Sequence, residues 1–177
     1  MGSGDDPRVL RRGLEQLANL LGNVDRHALS GGTPCAQWTV QDLIDHIVAA
    51  PTRFARMTRG ESIDWSAPTP SAGEDPVGAF RSHAKDLLRA WEEQPDSSGH
   101  ADINWQCAEL AVHSWDLATG IGGSTRDLDP EVAECGLAFM QANLTEDNRP
   151  PAFGPEQPVP EGADAYQHIA AFAGRFV

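Results

Sequence analysis

Lysine is almost missing from this sequence: Lys85 is the only one, and thirteen basic side chains face 26 acidic ones for a formal net charge of -13. A phosphate backbone would meet net repulsion from such a surface, so nucleic acid is excluded as an expected partner. Cysteine is sparse as well. Cys35, Cys107 and Cys135 form an odd, widely spaced set without a CxxC pair, which argues against both a disulfide scaffold and a zinc ribbon. Each reads first as a small buried hydrophobe. Long apolar runs are absent too. Stretches such as Ile47 to Pro51 fall far short of the ~20 residues needed to span a bilayer, and no basic leader precedes an apolar segment. The expectation is a cytoplasmic protein with no membrane partner. Strand-like alternation long enough to build a sheet is missing, and so is any internal repeat.

What remains is helical periodicity. The 177 residues allow one core, and a single domain is expected over 7–177, with Met1 to Asp6 set aside as a flexible start. Leu10, Leu14, Leu17, Leu21 and Val24 recur at steps of four and three, the stripe of an amphipathic helix from Pro7. After Gly31, Gly32 and Pro34, Thr39 with Asp42 forms an approximate capping box for a second helix. This helix presents Leu43, Ile47, Ala50, Phe54 and Met57 and stops at Gly60; Pro51 is expected to kink it or end it early. Residues 61–76 read as a loop, with Trp65 over part of the core. A third helix runs from Pro76 to Glu93 on Val77, Phe80, Ala84, Leu87 or Leu88, and Trp91, and Pro95, Ser97, Ser98 and Gly99 terminate the connection after it.

A fourth helix spans about Ala101 to Thr119, with Trp105, Ala108, Val112 and Trp115 on one flank and Gly120, Gly122 and Gly123 at its end. A fifth starts at Asp129 as N-cap with Pro130 in its first turn and buries Val132, Cys135 or Gly136, and Phe139. Proline-rich residues 146–162 wrap the surface before a short closing helix ending at Phe172. The fold class is therefore all-α: a four-helix bundle with an additional C-terminal helical segment. Its first four helices are expected to run antiparallel, with one chain crossover carried by residues 61–76 and the segments after Asp129 packed outside and over one end. The outer faces leave room for a homodimer without a stripe that demands one.

Chemistry enters at Glu109 and His113, four apart and therefore on one helix face. Gln106 and Asp116 extend that face. The same spacing fits a solvated face or an ordinary Glu–His pair. His46 lies on the inward edge of the second helix, next to Ile47, and would bring a third ligand from a facing helix. Three protein ligands are the number that catalytic zinc sites use to keep a position open, although the HExxH zincin signature is absent. Asp116 fits two roles: accepting a hydrogen bond from a ligand imidazole, Arg53 or Arg56 and so orienting the site, or pairing with an arginine for stability alone. Trp38 and Trp115 read as packing anchors, His83 as a boundary group, and His27, His100 and His168 as solvated. Arg175 reads as a closing salt bridge. Cys107, two residues from Glu109, turns away from the ligand face.

Four segments, "WTVQDLIDHIV" at 38–48, "RFARMTRG" at 53–60, "AELAVHSWDLATGIG" at 108–122 and "AFGPEQPVP" at 152–160 followed by "AAFAGR", together resemble the DinB/YfiT-like helical metalloproteins. The similarity is to the actinobacterial branch related to the metal-binding N-terminal domain of mycothiol-dependent maleylpyruvate isomerase. It implies a DinB-like four-helix bundle in which His46, Glu109 and His113 bind a divalent ion, commonly zinc. It also implies transferase or isomerase chemistry with mycothiol or another small thiol as cosubstrate and a small electrophile as substrate, in a largely apolar pocket lined by the second and fourth helices. Many relatives carry glycines after the metal histidine. Here Ala49, Ala50 and Pro51 stand there and are expected to reshape the pocket floor, and the chain is expected to lack the isomerase's further C-terminal domain. The alternatives are a metal-dependent hydrolase using zinc-bound water and a non-enzymatic metal- or ligand-binding module.

Overall fold

The computed structural model describes residues 7–93 and 102–177. The expected flexible start at Met1 to Asp6, the terminators Pro95 to Gly99, His100 and the start at Ala101 lie outside the described residues. Among the described residues there are six helices: α1 (Pro7–Gly22), α2 (Val40–Thr58), α3 (Pro76–Glu93), α4 (Ile103–Gly120), α5 (Pro130–Asn143) and α6 (Ala165–Phe172), with a 3-10 turn at Arg26–Ala28. Among the described residues no strand forms; the only extended pairing is an isolated bridge between Gly32 and Thr39.

Local sequence chemistry sets the helix ends. The Thr39 side chain accepts from the Asp42 N–H and Asp42 accepts from the Thr39 N–H at 2.9 Å, a complete capping box. Asp102, Asp129 and Asp164 cap α4, α5 and α6. Gly122, at φ 73°, turns the chain after α4, where the Gly123 N–H reaches the Ala118 carbonyl at 2.7 Å.

Pro51 does not end α2, which continues to Thr58. Proline removes the donor that Ile47 O would use and disturbs the turn before it. Here the neighbouring Val48 carbonyl accepts from His83 Nδ1 at 2.8 Å, so α3 braces the α2 backbone just where the ladder is interrupted. His83 thus has a boundary role, as its position beside Phe80 and Ala84 suggests.

The stripes assemble into a bundle because each needs an apolar partner. α1 packs against α3 and α4, and α2 packs against the same two, so α1 and α2 occupy opposite corners. Residues 61–76 therefore join neighbours, contrary to the crossover expected there; the diagonal crossings are made between α1 and α2 and between α3 and α4. Leu10, Leu17, Leu43, Ile47, Phe80 and Leu87 are each no more than 2% exposed and fill the centre. Leu87, rather than Leu88, takes the core position on α3.

α4 is buried nearly all round, from Ile103 to Ala118. Its outer side, which a four-helix bundle would leave wet, is covered by α5 and α6. The later segments lie along α4 as a second layer and are not confined to one end. Gly136 permits the approach: a Cβ there would sit 2.6 Å from Ala108 Cα. No helix of the described residues is long and apolar enough to cross a membrane.

Candidate metal centre

His46, Glu109 and His113 converge. α2 supplies the first and α4 the other two, and their ligand atoms all lie within 4.8 Å of one another. His46 Nε2 stands 2.7 Å from Glu109 Oε1, and His113 Nε2 stands 3.2 Å from the same oxygen. Donors held on one tetrahedral ion at ~2.1 Å are separated by about 3.4 Å. The two distances to Glu109 fall somewhat short of that value, and two imidazoles with one carboxylate make a donor set suited to a borderline divalent ion.

The surroundings orient the imidazoles. His113 Nδ1 donates to Asp116 Oδ2 at 3.1 Å, which leaves Nε2 turned toward the cluster. Asp116 in turn accepts from Arg175 Nε at 3.2 Å and Nη2 at 3.0 Å. The arginine partner of Asp116 is thus Arg175, and neither Arg53 nor Arg56. Those two are engaged elsewhere: Arg53 lies over Trp65 and Arg56 pairs with Glu61. Asp116 thus bonds an imidazole of the cluster and an arginine at once, and the salt bridge expected of Arg175 closes the C-terminal segment onto α4. The Trp38 ring lies 4.8 Å from the His46 ring and 6.0 Å from the His113 ring, an anchor packed against both histidines.

Electrostatics follow from this crowding. Burial works against a charged Glu109, but the positive His113 and hydrogen bonds from both histidines outweigh it and hold the carboxyl well below its usual range. Burial likewise opposes a charged His113, yet Glu109 and Asp116 raise its pKa from 6.5 to about 9. Asp116 is held low despite burial by His113 and Arg175. A metal ion would take the place of the proton that binds these groups together.

A cavity of about 790 Å³ opens onto the triad. Its walls are mostly apolar: Trp38 from the loop before α2, Trp105 and Val112 from α4, Phe139 and Met140 from α5, and Phe153 from the stretch after Arg149. From α2 it receives only His46, so the pocket expected between the second and fourth helices is built instead by α4, α5 and three loop segments. Ala49, Ala50 and Pro51 do not floor it. Ala50 and Pro51 line a small void on the core side, next to Gln106.

Cys35 is a further correction. It is half-buried and lines the cavity instead of sitting in the core, and burial pushes its thiol up to about 11. Cys107 is buried away from the site, as its spacing implies, and burial pushes it up to about 12. Cys135 is only half-buried. His27 and His168 are exposed, and Trp115 is a core residue at 6% exposure. Trp65 packs on Phe54 and Trp105 while remaining 42% exposed. Cavity residues such as Phe139, Met140 and Phe153 carry no polar signal in the sequence, and only their helical or loop setting could have raised them.

Residues 10–118 match the family described as the mycothiol maleylpyruvate isomerase N-terminal domain. That range includes the triad and Asp116 and stops before Arg175. Two proteins of Mycobacterium tuberculosis, the uncharacterized protein MT0763 of strain CDC 1551 / Oshkosh and the uncharacterized protein Rv0738 of strain H37Rv, are each 32% identical to this chain over 183 aligned positions, covering 94% of this chain and 96% of the relative. No solved structure matches it. With an all-helical bundle that joins His46, Glu109 and His113 and a family match across α1 to α4, the chain belongs to the mycothiol maleylpyruvate isomerase N-terminal domain family, within the DinB/YfiT-like superfamily.

Proposed function

We propose that this metal-binding domain is a transferase or isomerase that uses a low-molecular-weight thiol, mycothiol being the thiol named by the family, with His46, Glu109 and His113 holding a zinc ion. The observation that carries the reading is the opening of a three-donor cluster onto a large, mostly apolar cavity. Three protein donors leave a position for an exogenous group, and the cavity has room for a small electrophile beside it. When bound, a divalent ion with an open position favours the ionised form of a neighbouring thiol or water at neutral pH.

The chain's own residues prepare that position. Asp116 fixes the His113 ring through Nδ1, Arg175 fixes Asp116, and Trp38 packs against both imidazoles and keeps bulk water from their faces. The protein's thiols are poor nucleophiles: Cys35 and Cys107 are both held protonated by burial. Apart from the triad, the titratable side chains on the cavity wall are Cys35 and Arg175, and Arg175 is committed to Asp116. A reaction here therefore draws its nucleophile from outside the chain.

The test combines mycothiol, or a chemically similar thiol, with a panel of electrophiles, following adduct formation or isomerisation. We expect turnover in the wild type and in a Cys107→Ala/Cys135→Ala variant, and its loss by at least ~100-fold after chelation or in His113→Ala. Unchanged turnover in the stripped protein would remove the metal from the reaction. Turnover without any thiol would reassign the site to metal-dependent hydrolysis. An intact metal site that binds no thiol would leave a non-enzymatic module.

A further inference from the structure

A second buried cation lies outside the metal centre. Arg149 follows α5 and is 8% exposed, yet among the described residues no carboxylate lies within ion-pair distance of it, in contrast to Arg175. Its Nη1 donates to the Gly154 carbonyl at 3.1 Å and the Phe172 carbonyl at 2.5 Å, and its flat face lies over the Phe172 ring, 4.5 Å from the centroid. These bonds use the Nη1 hydrogens. The other edge of the guanidinium, with Nε and Nη2, has no acceptor among the described residues.

That edge is not sealed in the core. Among the described residues the sealed polar atoms without partners are Thr58 Oγ1, Gln106 Nε2 and Ser114 Oγ, and neither Arg149 nitrogen is one of them. Arg149 instead lines a groove of about 570 Å³, together with Leu144, Phe153 and Phe172. A guanidinium taken out of water and only half satisfied by carbonyl oxygens leaves a desolvation cost that an anion in the groove would offset. Stapling the C-terminal segment needs only Nη1, so it does not account for the open fork.

We propose that Arg149 is the seat of a carboxylate-binding site, one that takes a small monoanionic carboxylate with an apolar tail. The open edge matches a carboxylate in a two-point, fork-to-fork arrangement. Leu144, Phe153 and Phe172 offer the tail an apolar wall. Glu146 and Glu156 stand on the rim and the chain carries a formal charge of -13, so multiply charged anions are repelled. The site does not depend on the metal reading. Leu144 and Phe153 also line the metal cavity, so they form a wall between the two spaces, and none of His46, Glu109 and His113 reaches the groove.

The experiment titrates the full chain with phenylacetate, phenylacetamide and inorganic phosphate at low salt, following the Arg149 Nε–Hε resonance. Phenylacetate should shift that resonance saturably and bind at least ~10-fold more tightly than the neutral amide. Arg149→Lys, which keeps the charge and loses the fork, should bind phenylacetate at least ~10-fold more weakly with its helical signal unchanged. Should that variant fail to fold, the exposed pair Glu146→Gln/Glu156→Gln keeps the question open to measurement, and should tighten phenylacetate binding about 2- to 5-fold. His113→Ala should bind phenylacetate as the wild type does. Equal response to acid and amide, tighter binding of phosphate, loss of binding in His113→Ala, or no gain in the glutamine pair would each overturn the assignment.

Discussion

Asp116 shows how one buried carboxylate can serve a site and a fold together. It is fully buried, receives His113 Nδ1, and is gripped by Arg175 from 59 residues further along the chain. Removing its charge leaves Arg175 buried without an ionic partner, so Asp116→Asn should lose about 3 kcal/mol or more of stability in urea unfolding. It should also weaken divalent-ion binding about 10- to 100-fold, because the His113 ring loses its orienting acceptor. Arg175→Met separates the two effects. It should cost comparable stability while leaving the His113–Asp116 bond, so its metal affinity should fall much less. Equal losses of metal affinity in the two variants would make Asp116 a purely structural residue. Half of this arrangement was legible in the sequence. Asp116 lies three residues after His113 on one helix, and local spacing predicts their contact. Arg175 could not be chosen over Arg53 or Arg56, because no local periodicity links residues in separate segments.

At the level of elements, helix positions were readable because caps and stripes are local signals. Thr39 and Asp42, Asp129 and Pro130, and the Leu10–Leu14–Leu17–Leu21 stripe each lie within one or a few turns, and α3 begins and ends at Pro76 and Glu93 as its pattern predicts. Pro51 does not end α2 early, and the contact beside it, from His83 on α3 to the Val48 carbonyl, is tertiary and leaves no mark in local spacing. The path of the chain through the bundle was likewise not legible: loop length does not say whether two helices are neighbours or diagonal partners. Two predictions belong here. Thr39→Ala removes one half of the α2 capping box and should lower stability by about 1 kcal/mol. Gly136→Val should be far worse, since the first carbon of any side chain already meets the Ala108 backbone at 2.6 Å and neither helix can yield without opening the α4–α5 contact. A loss of more than ~3 kcal/mol is expected in thermal or denaturant unfolding, and a loss below ~1 kcal/mol would show that α5 can slide.

For the whole molecule, the relation between metal and fold follows from where the apolar surface lies. One continuous core joins residues from all six helices, from Val9 in α1 to Phe172 in α6, and the triad sits at its margin with side chains 10 to 21% exposed. Small domains that depend on a metal to fold lack such a core, whereas here the apolar stripes pack against one another. The triad also has partners of its own, since both imidazoles stand within hydrogen-bonding distance of Glu109. Chelation should therefore leave the helical circular-dichroism signal intact and remove only the stabilisation that binding contributes. At a free ion concentration 100 times the dissociation constant that contribution is about 2.7 kcal/mol. For a chain of this size it corresponds to a drop in Tm of about 5 to 10 °C. His113→Ala should match the chelated protein in helical content and should no longer gain Tm when metal is added. Collapse of the helical signal on chelation would mean that the ion helps to build the bundle, and the open position argued for the site would then have to be sought in a structural centre.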